Sequence, residues 1–296
     1  MGNQAGIIIR NVKNELFHSA KRLILNEVKG IECLQTTMNY RLTLITVILI
    51  VCALCSTQSF AEVVEIKGYH YDINKEEKVA TLVRYTGSSS SVVIPNSITH
   101  EEVEYSVTAF HARLFRDSNI KNRIKKVTIG DAVTSIGDYS FEGCSSLVSI
   151  TIGKSVSSIG SSAFSGCLNL TSIIIPNSVT AIGSYAFEDC KSLSSITIGN
   201  NVKSIGNKAF NYCVSLKAIT LPKSLATIGD DVFSNCDNLK RVTCLAEKAP
   251  VSDSPVNVSK SKNKITLFVP SISIDDYKGK EPWKSFDSIK SLEDIE

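Results

Sequence analysis

The sequence predicts an α/β-type repeat solenoid: a parallel β-sheet of short strands joined by short helical or 3-10 turns, capped at both ends. Three observations carry this expectation. Leu147, Leu170, Leu193, Leu216 and Leu239 recur every 23 residues. Phe141, Phe164, Phe187, Phe210 and Phe233 keep the same step, and so do Cys144, Cys167, Cys190, Cys213 and Cys236. The pairs Ile136-Gly137, Ile159-Gly160, Ile182-Gly183, Ile205-Gly206 and Ile228-Gly229 repeat in phase with them. Self-similarity at a fixed period of about 20–50 residues marks a solenoid, in which each unit buries its apolar face only against its neighbours.

The unit from Leu147 to Asn169 shows how each element arises. In Leu147-Val-Ser-Ile-Thr-Ile152 the residues Leu147, Ile150 and Ile152 point inward, the last two with strand alternation. A strand of about six residues is expected in each coil. Gly153-Lys154 turns the chain, and Val156 and Ile159 make a second short inward segment. Gly160 is expected to supply the backbone freedom for the next corner. Ala163-Phe164 then leads to Gly166-Cys167, a short helical turn or loop that closes the coil. Ala163, Ala186 and Ala209 precede a repeat phenylalanine, which points to a tight contact there; Ser140 and Val232 stand at that place in other copies. Lone units do not bury enough to fold, because ordering the chain offsets what one coil gains. Stacking supplies the remainder, with Phe on Phe and Ile on Ile.

Nine cysteines suggest a disulfide framework at first sight. Five fill one repeat column, where Cys serves as a small buried hydrophobe. Stacked copies point the same way, which does not suit the dihedral of a disulfide. An inert ladder is therefore expected, with adjacent-coil disulfides or metal binding as the alternatives. Cys244 occupies the strand slot of Ile152, Ile175, Ile198 and Leu221 and is expected in the core. No Cys/His cluster with zinc spacing occurs after residue 61, and no metal or cofactor is expected.

The formal charge of +3 comes from the front of the chain. Six of the 32 basic and three of the 29 acidic residues precede residue 62, which leaves 26 of each beyond it. That balance argues against a nucleic-acid partner. Arg41 is followed by the apolar run Leu42 to Leu54 and then by Ser59-Phe60-Ala61. A basic start, a short apolar core and small residues at the cut describe a secretory signal spanning 38–61. The run is short for a membrane span, which needs about 20 residues; an uncleaved anchor is the alternative. The mature chain is expected to lack an integral membrane span. Met38 is read as the true start, with residues 1–37 a mis-called extension. Cys52 and Cys55 fit a lipidation site poorly, because bulky Leu54 directly precedes Cys55.

The string from Leu193 to Cys213, LSSITIGNNVKSIGNKAFNYC, resembles the BspA-type leucine-rich repeats, with L-x-x-I-x-I-P/G, then V-x-x-I-G, then A-F-x-x-C in register. The resemblance covers about residues 92–245. It implies the leucine-rich-repeat plan, with one strand per coil and a long return. Residues 119–245 are assigned to the repeats and 62–118 to an N-terminal cap with a degenerate first repeat. There Phe110-His111 replaces Ile-Gly, and the insert His100 to Tyr105 is implied to form a hairpin. Phe115 to Phe141 is 26 residues, so Lys121-Asn-Arg123 is expected to bulge. Residues 246–296 are assigned to a C-terminal capping segment, in which Thr266-Leu-Phe-Val-Pro270 holds the last strand and an aromatic-bearing short helix follows. The resemblance further implies an exported bacterial protein, at the surface, in the outer envelope or secreted, with adhesion to a host protein or glycan as the leading role. A structural or assembly module of the envelope is the other reading.

Residues between the inward ones on each strand are expected to face solvent in two columns. One column holds Thr128, Thr151, Ile174, Thr197, Thr220 and Thr243. The other holds Lys126, Ser149, Ser172, Ser195, Ala218 and Arg241. These columns form the candidate binding surface, since solenoids bind on such extended faces. Threonine is also a good exposed strand residue in its own right. No GxSxG, HExxH or phosphate-binding glycine loop appears, and His18, His70, His100 and His111 lie outside the regular repeats. Asp138, Glu142, Glu188, Asp189, Asp230 and Asp231 fall at coil corners and are read as turn residues. A non-catalytic, monomeric binding protein is expected.

Overall fold

The computed structural model describes residues 62–116, 120–252 and 264–295. The expectations for residues 1–37 and 38–61, Cys52 and Cys55 included, lie outside these residues. The chain enters through β1 (Glu62–Ile66), β2 (Tyr69–Asn74) and β3 (Val79–Tyr85), an antiparallel meander. Next come β4 (Ser91–Ile94), β5 (Ser97–His100) and β6 (Val103–Phe110). β5 and β6 form the hairpin expected near His100 to Tyr105. Its two turn residues, Glu101 and Glu102, both have positive φ, at 50° and 64°, as a tight two-residue hairpin turn requires. β6 also pairs in parallel with β3 and so joins the meander to the first coil.

From there the chain is a parallel-strand solenoid of about nine turns with little helix. The front strands are β4, then β7 (Lys126–Ile129), β9 (Ser149–Thr151), β11 (Ser172–Ile174) and β13 (Ser195–Thr197). They continue as β15 (Ala218–Leu221), β17 (Arg241–Cys244), β18 (Thr266–Val269) and β19 (Ser288–Ser291). Three parallel sheets result, β4-β7-β9, β11-β13 and β15-β17-β18-β19, with β9 in contact with β11 and β13 with β15. The second short segment of each coil forms a sheet of its own: β8 (Ser135–Ile136), β10 (Ser158–Ile159), β12 (Ala181–Ile182), β14 (Ser204–Ile205) and β16 (Thr227–Ile228). The front strands hold three or four residues where six were expected. The Leu147 N–H is turned back to the Cys144 carbonyl, and the Val156 N–H to the Gly153 carbonyl, so the coil bends at both ends of the strand.

The returns are hydrogen-bonded turns, not helices. Alternate N–H groups reach straight to the next coil: Ser162 to Ser184 O, Phe164 to Ala186 O and Gly166 to Glu188 O, each at 2.8 Å. Left-handed backbone at Ser162 (φ 52°) and Gly166 (φ 71°) aims these donors the same way. Inside, the rings from Phe115 to Phe233 form a stacked column with centroids 5.0 to 6.0 Å apart. Phe115 keeps its place despite the longer spacing, because a 3-10 turn at Lys121–Arg123 takes up the extra residues as expected.

The glycine after each repeat isoleucine has a different cause from the one expected. Gly160 and Gly183 do not have positive φ; a Cβ on Gly160 would stand 2.6 Å from the Asp138 nitrogen, and one on Gly183 2.6 Å from the Gly160 carbonyl carbon. Close approach of coil to coil demands these glycines.

The C-terminal segment also departs from expectation. Thr266 to Val269 is not the last strand, because β19 follows and pairs in parallel with it. Between the two lie α1 (Ile274–Gly279), the only α-helix among the described residues, and a 3-10 turn at Trp283–Ser285. Tyr277 and Trp283 are fully buried; the Tyr277 hydroxyl donates to the Ala246 carbonyl at 2.8 Å, and the Trp283 indole N–H to the Pro250 carbonyl at 2.6 Å.

Candidate binding surface

Strand alternation, with Val127, Ile150, Ile173 and Ile219 turned inward, leaves the intervening side chains outside. Lys126, Ser149, Thr151, Ser172, Ser195, Thr197, Thr220 and Arg241 are exposed. Ile174 is 70% exposed, an apolar side chain standing among hydroxyls. Thr128 is half-buried, and so is Ala218 in the neighbouring column. The rows run in register: Val93, Thr128 and Thr151 across one sheet, Ile174 and Thr197 across the next, and Thr220, Thr243, Phe268 and Lys290 across the third.

Thr243 departs from expectation and is buried, at 8% exposed. Its register neighbour on that face is Phe268, where the rungs before it carry small or branched side chains. A phenyl group alongside shades the hydroxyl. The sequence also left out the ends of both rows, Ser91 and Val93 on β4 and Ser288 and Lys290 on β19. The alternation in Val92-Val-Ile94 was a usable signal for the first pair.

A second feature is an open groove of about 500 Å³ along β10 to β16, with Asp138, Ser161, Ser184, Asn207 and Asp230 in its lining. Its polar groups serve the coil-to-coil joints. Asp138 Oδ1 accepts from the Ser161 N–H at 2.7 Å, and Asn207 Oδ1 from the Asp230 N–H at 2.9 Å. The same device operates at the other corner, where Asp131 Oδ1 accepts from the Lys154 N–H and Asn177 Oδ1 from the Asn200 N–H. The remaining corner carboxylates have partners too: Glu142 with Arg116, Glu188 with Asn211, Asp189 with Lys191 and Asp231 with Ser234.

A third cluster closes the end of the N-terminal sheet. Lys75 Nζ bridges Glu62 Oε2 at 2.7 Å and Glu101 Oε2 at 3.4 Å. His100 Nε2 lies 3.4 Å from Glu62 Oε1 and 3.9 Å from Glu101 Oε1. The hydrogen bond from Lys75 holds the Glu62 carboxyl below the usual range. Glu62, His100 and Glu101 have metal-ligand types, but the Lys75 ammonium already sits between the two carboxylates.

The cysteine column is buried and free of disulfides, and Cys244 is buried with it. No helix among the described residues is long and apolar enough to cross a membrane.

The fold is shared with two bacterial proteins of known structure. One is the leucine rich repeat protein of T. pallidum, TpLRR, at 23% identity and a TM-score of 0.56, covering 77% of this chain and 98% of that one. The other is the pneumococcal vaccine antigen PcpA, at 19% identity and a TM-score of 0.56, covering 78% of this chain and 67% of that one. No curated protein matches the sequence. Residues 108–240 match the model of the BspA type leucine rich repeat region, in six copies.

Proposed function

We propose that the chain is an exported, non-catalytic binding protein that holds a protein or glycan ligand on the outward face of its front sheet, at the bacterial surface or beyond it. The supporting observation is that face itself. Thr151, Ile174, Thr197 and Thr220 stand exposed on a run of parallel rungs, beside Ser149, Ser172 and Ser195. A rigid, extended and uncovered sheet is the surface that solenoids use for recognition. In this reading residues 38–61 direct export, and residues 62–118 and 246–296 cap the apolar spine. The protein acts as a monomer.

The test is a binding screen of the purified protein against host matrix components and against bacterial envelope extracts, repeated with Thr151→Glu and Thr197→Glu. Loss of a matrix ligand in both variants, with the thermal transition unchanged, is the expected result. Binding that survives both substitutions moves the site to another face. Capture of envelope components alone replaces the adhesion reading with an envelope assembly module.

A further inference from the structure

We infer that the front face holds a linear sulfated polysaccharide of the host matrix, laid along the axis of the solenoid. This deepens the binding role proposed above and rests on it. The argument is charge complementarity. Lys125 and Lys126 stand at one end of the face, and Lys217, Lys240, Arg241 and Lys290 at the other; all six are exposed. None of them forms an ion pair among the described residues, whereas Lys75, Arg116, Lys154, Lys191 and Lys223, on other faces, each have a carboxylate partner. Neither outward row holds an aspartate or glutamate from Ser91 to Lys290. The two outward rows of a chain with equal numbers of acids and bases beyond residue 61 thus carry cations and no acid; at the flanking position that supplies Lys125, Lys217 and Lys240 the one acid is Asp287, beside β19 at the far end.

The spacing narrows the partner. Lys126 and Arg241 lie in the same row, five rungs apart, or about 24 Å at the usual strand separation. Between them run the hydroxyls of Ser149, Ser172, Ser195, Thr151, Thr197 and Thr220. A hydroxyl both donates and accepts hydrogen bonds, which suits sugar hydroxyls and sulfate oxygens together. A folded acidic protein would call for an apolar centre to the interface, and Ile174 is the only large apolar side chain between these two groups of cations in the two rows. Single-stranded nucleic acid would call for aromatic platforms, and no ring stands between Lys126 and Arg241 in either row. An extended polyanion that reaches from one cationic end to the other across a hydroxyl floor satisfies all of these features.

Heparin is the probe, with dextran as the neutral control and hyaluronan as the unsulfated one. The purified protein is expected to bind immobilised heparin in a salt-sensitive manner, and dextran not at all. The double variant Lys126→Glu/Arg241→Glu is expected to bind at least tenfold more weakly. Lys203→Glu, a cation on the second sheet's side, is expected to bind as the parent does. Unchanged thermal transitions confirm that the variants fold. Absence of heparin binding at low salt, equal weakening by Lys203→Glu, or equally tight binding of hyaluronan would each overturn the inference. A matrix protein that binds and is lost in Thr197→Glu, with no heparin binding, overturns the polysaccharide but keeps the binding face. Heparin binding that ignores both the charge reversals and Thr197→Glu overturns both.

Discussion

The Cys190 thiol lies 3.2 Å from the Phe164 carbonyl oxygen of the preceding coil, to which it donates. Cys167, Cys213 and Cys236 repeat the contact with Phe141, Phe187 and Phe210. The cysteine column therefore couples coils through a weak polar contact inside an apolar spine, with four of its thiols turned to main-chain carbonyls of the preceding coil. In the native protein Cys144, Cys167, Cys190, Cys213, Cys236 and Cys244 are expected to resist an aromatic disulfide reagent, and to react together on unfolding. Rapid native-state labelling of any of them, read by mass spectrometry, would contradict this.

The same burial gives stability an alkaline limit. Removal from water pushes the thiols of Cys144 and Cys236 up to about 12 from an ordinary value of 9.0. An unfolded chain releases those protons near pH 9, while the folded chain keeps them until about pH 12. The contribution is complete below pH 9 and is lost as the pH rises through this window. The buried hydroxyls of Tyr71 and Tyr277 are raised for the same reason and act in the same direction. Urea midpoints measured from pH 8 to 11 are expected to fall steadily; a flat profile would show that the thiols are not desolvated.

Phe187 sits between Phe164 at 5.2 Å and Phe210 at 5.4 Å, with nearly parallel rings on both sides. Phe187→Ala opens a cavity in mid-column, and a loss of about 3–5 kcal/mol in unfolding free energy is expected. A loss below about 1 kcal/mol would mean that the coils relax inward and that the stack is dispensable.

Gly183→Ala tests a different contact. The added methyl would meet the Gly160 carbonyl carbon and the Ser161 nitrogen at 2.6 Å, both main-chain atoms. Main chain cannot rotate away, so the coils must part, and a loss of at least about 1–3 kcal/mol is expected. Gly137→Ala is the internal control, since its nearest neighbour would be the Ala112 Cα at 3.3 Å. Equal losses at the two sites would show that spacing is not the cause.

The 23-residue step was enough to reveal the coils, the Phe column and both outward rows, because each depends on residues that repeat at one interval. What escaped depends on singular pairings. β19 was missed because Ser288-Ile-Lys-Ser291 has one apolar residue and no repeat partner. The burial of Thr243 depends on Phe268, which follows an irregular connection that no period locates. The glycines were recognised as necessary for the wrong reason, since a sequence shows the missing side chain but not the neighbouring coil that excludes it. Asp138 was read as a turn residue, because its acceptor role appears only once the next coil lies 23 residues away.

The main-chain links between coils recur at equivalent positions, as from the Phe164 N–H to the Ala186 carbonyl and from the Phe187 N–H to the Ala209 carbonyl. Excising one whole period would therefore leave a seam made from the same kinds of atoms as the one removed. Such a protein can change its length in whole modules while the main-chain junctions stay the same in kind, so its reach is adjustable without redesign.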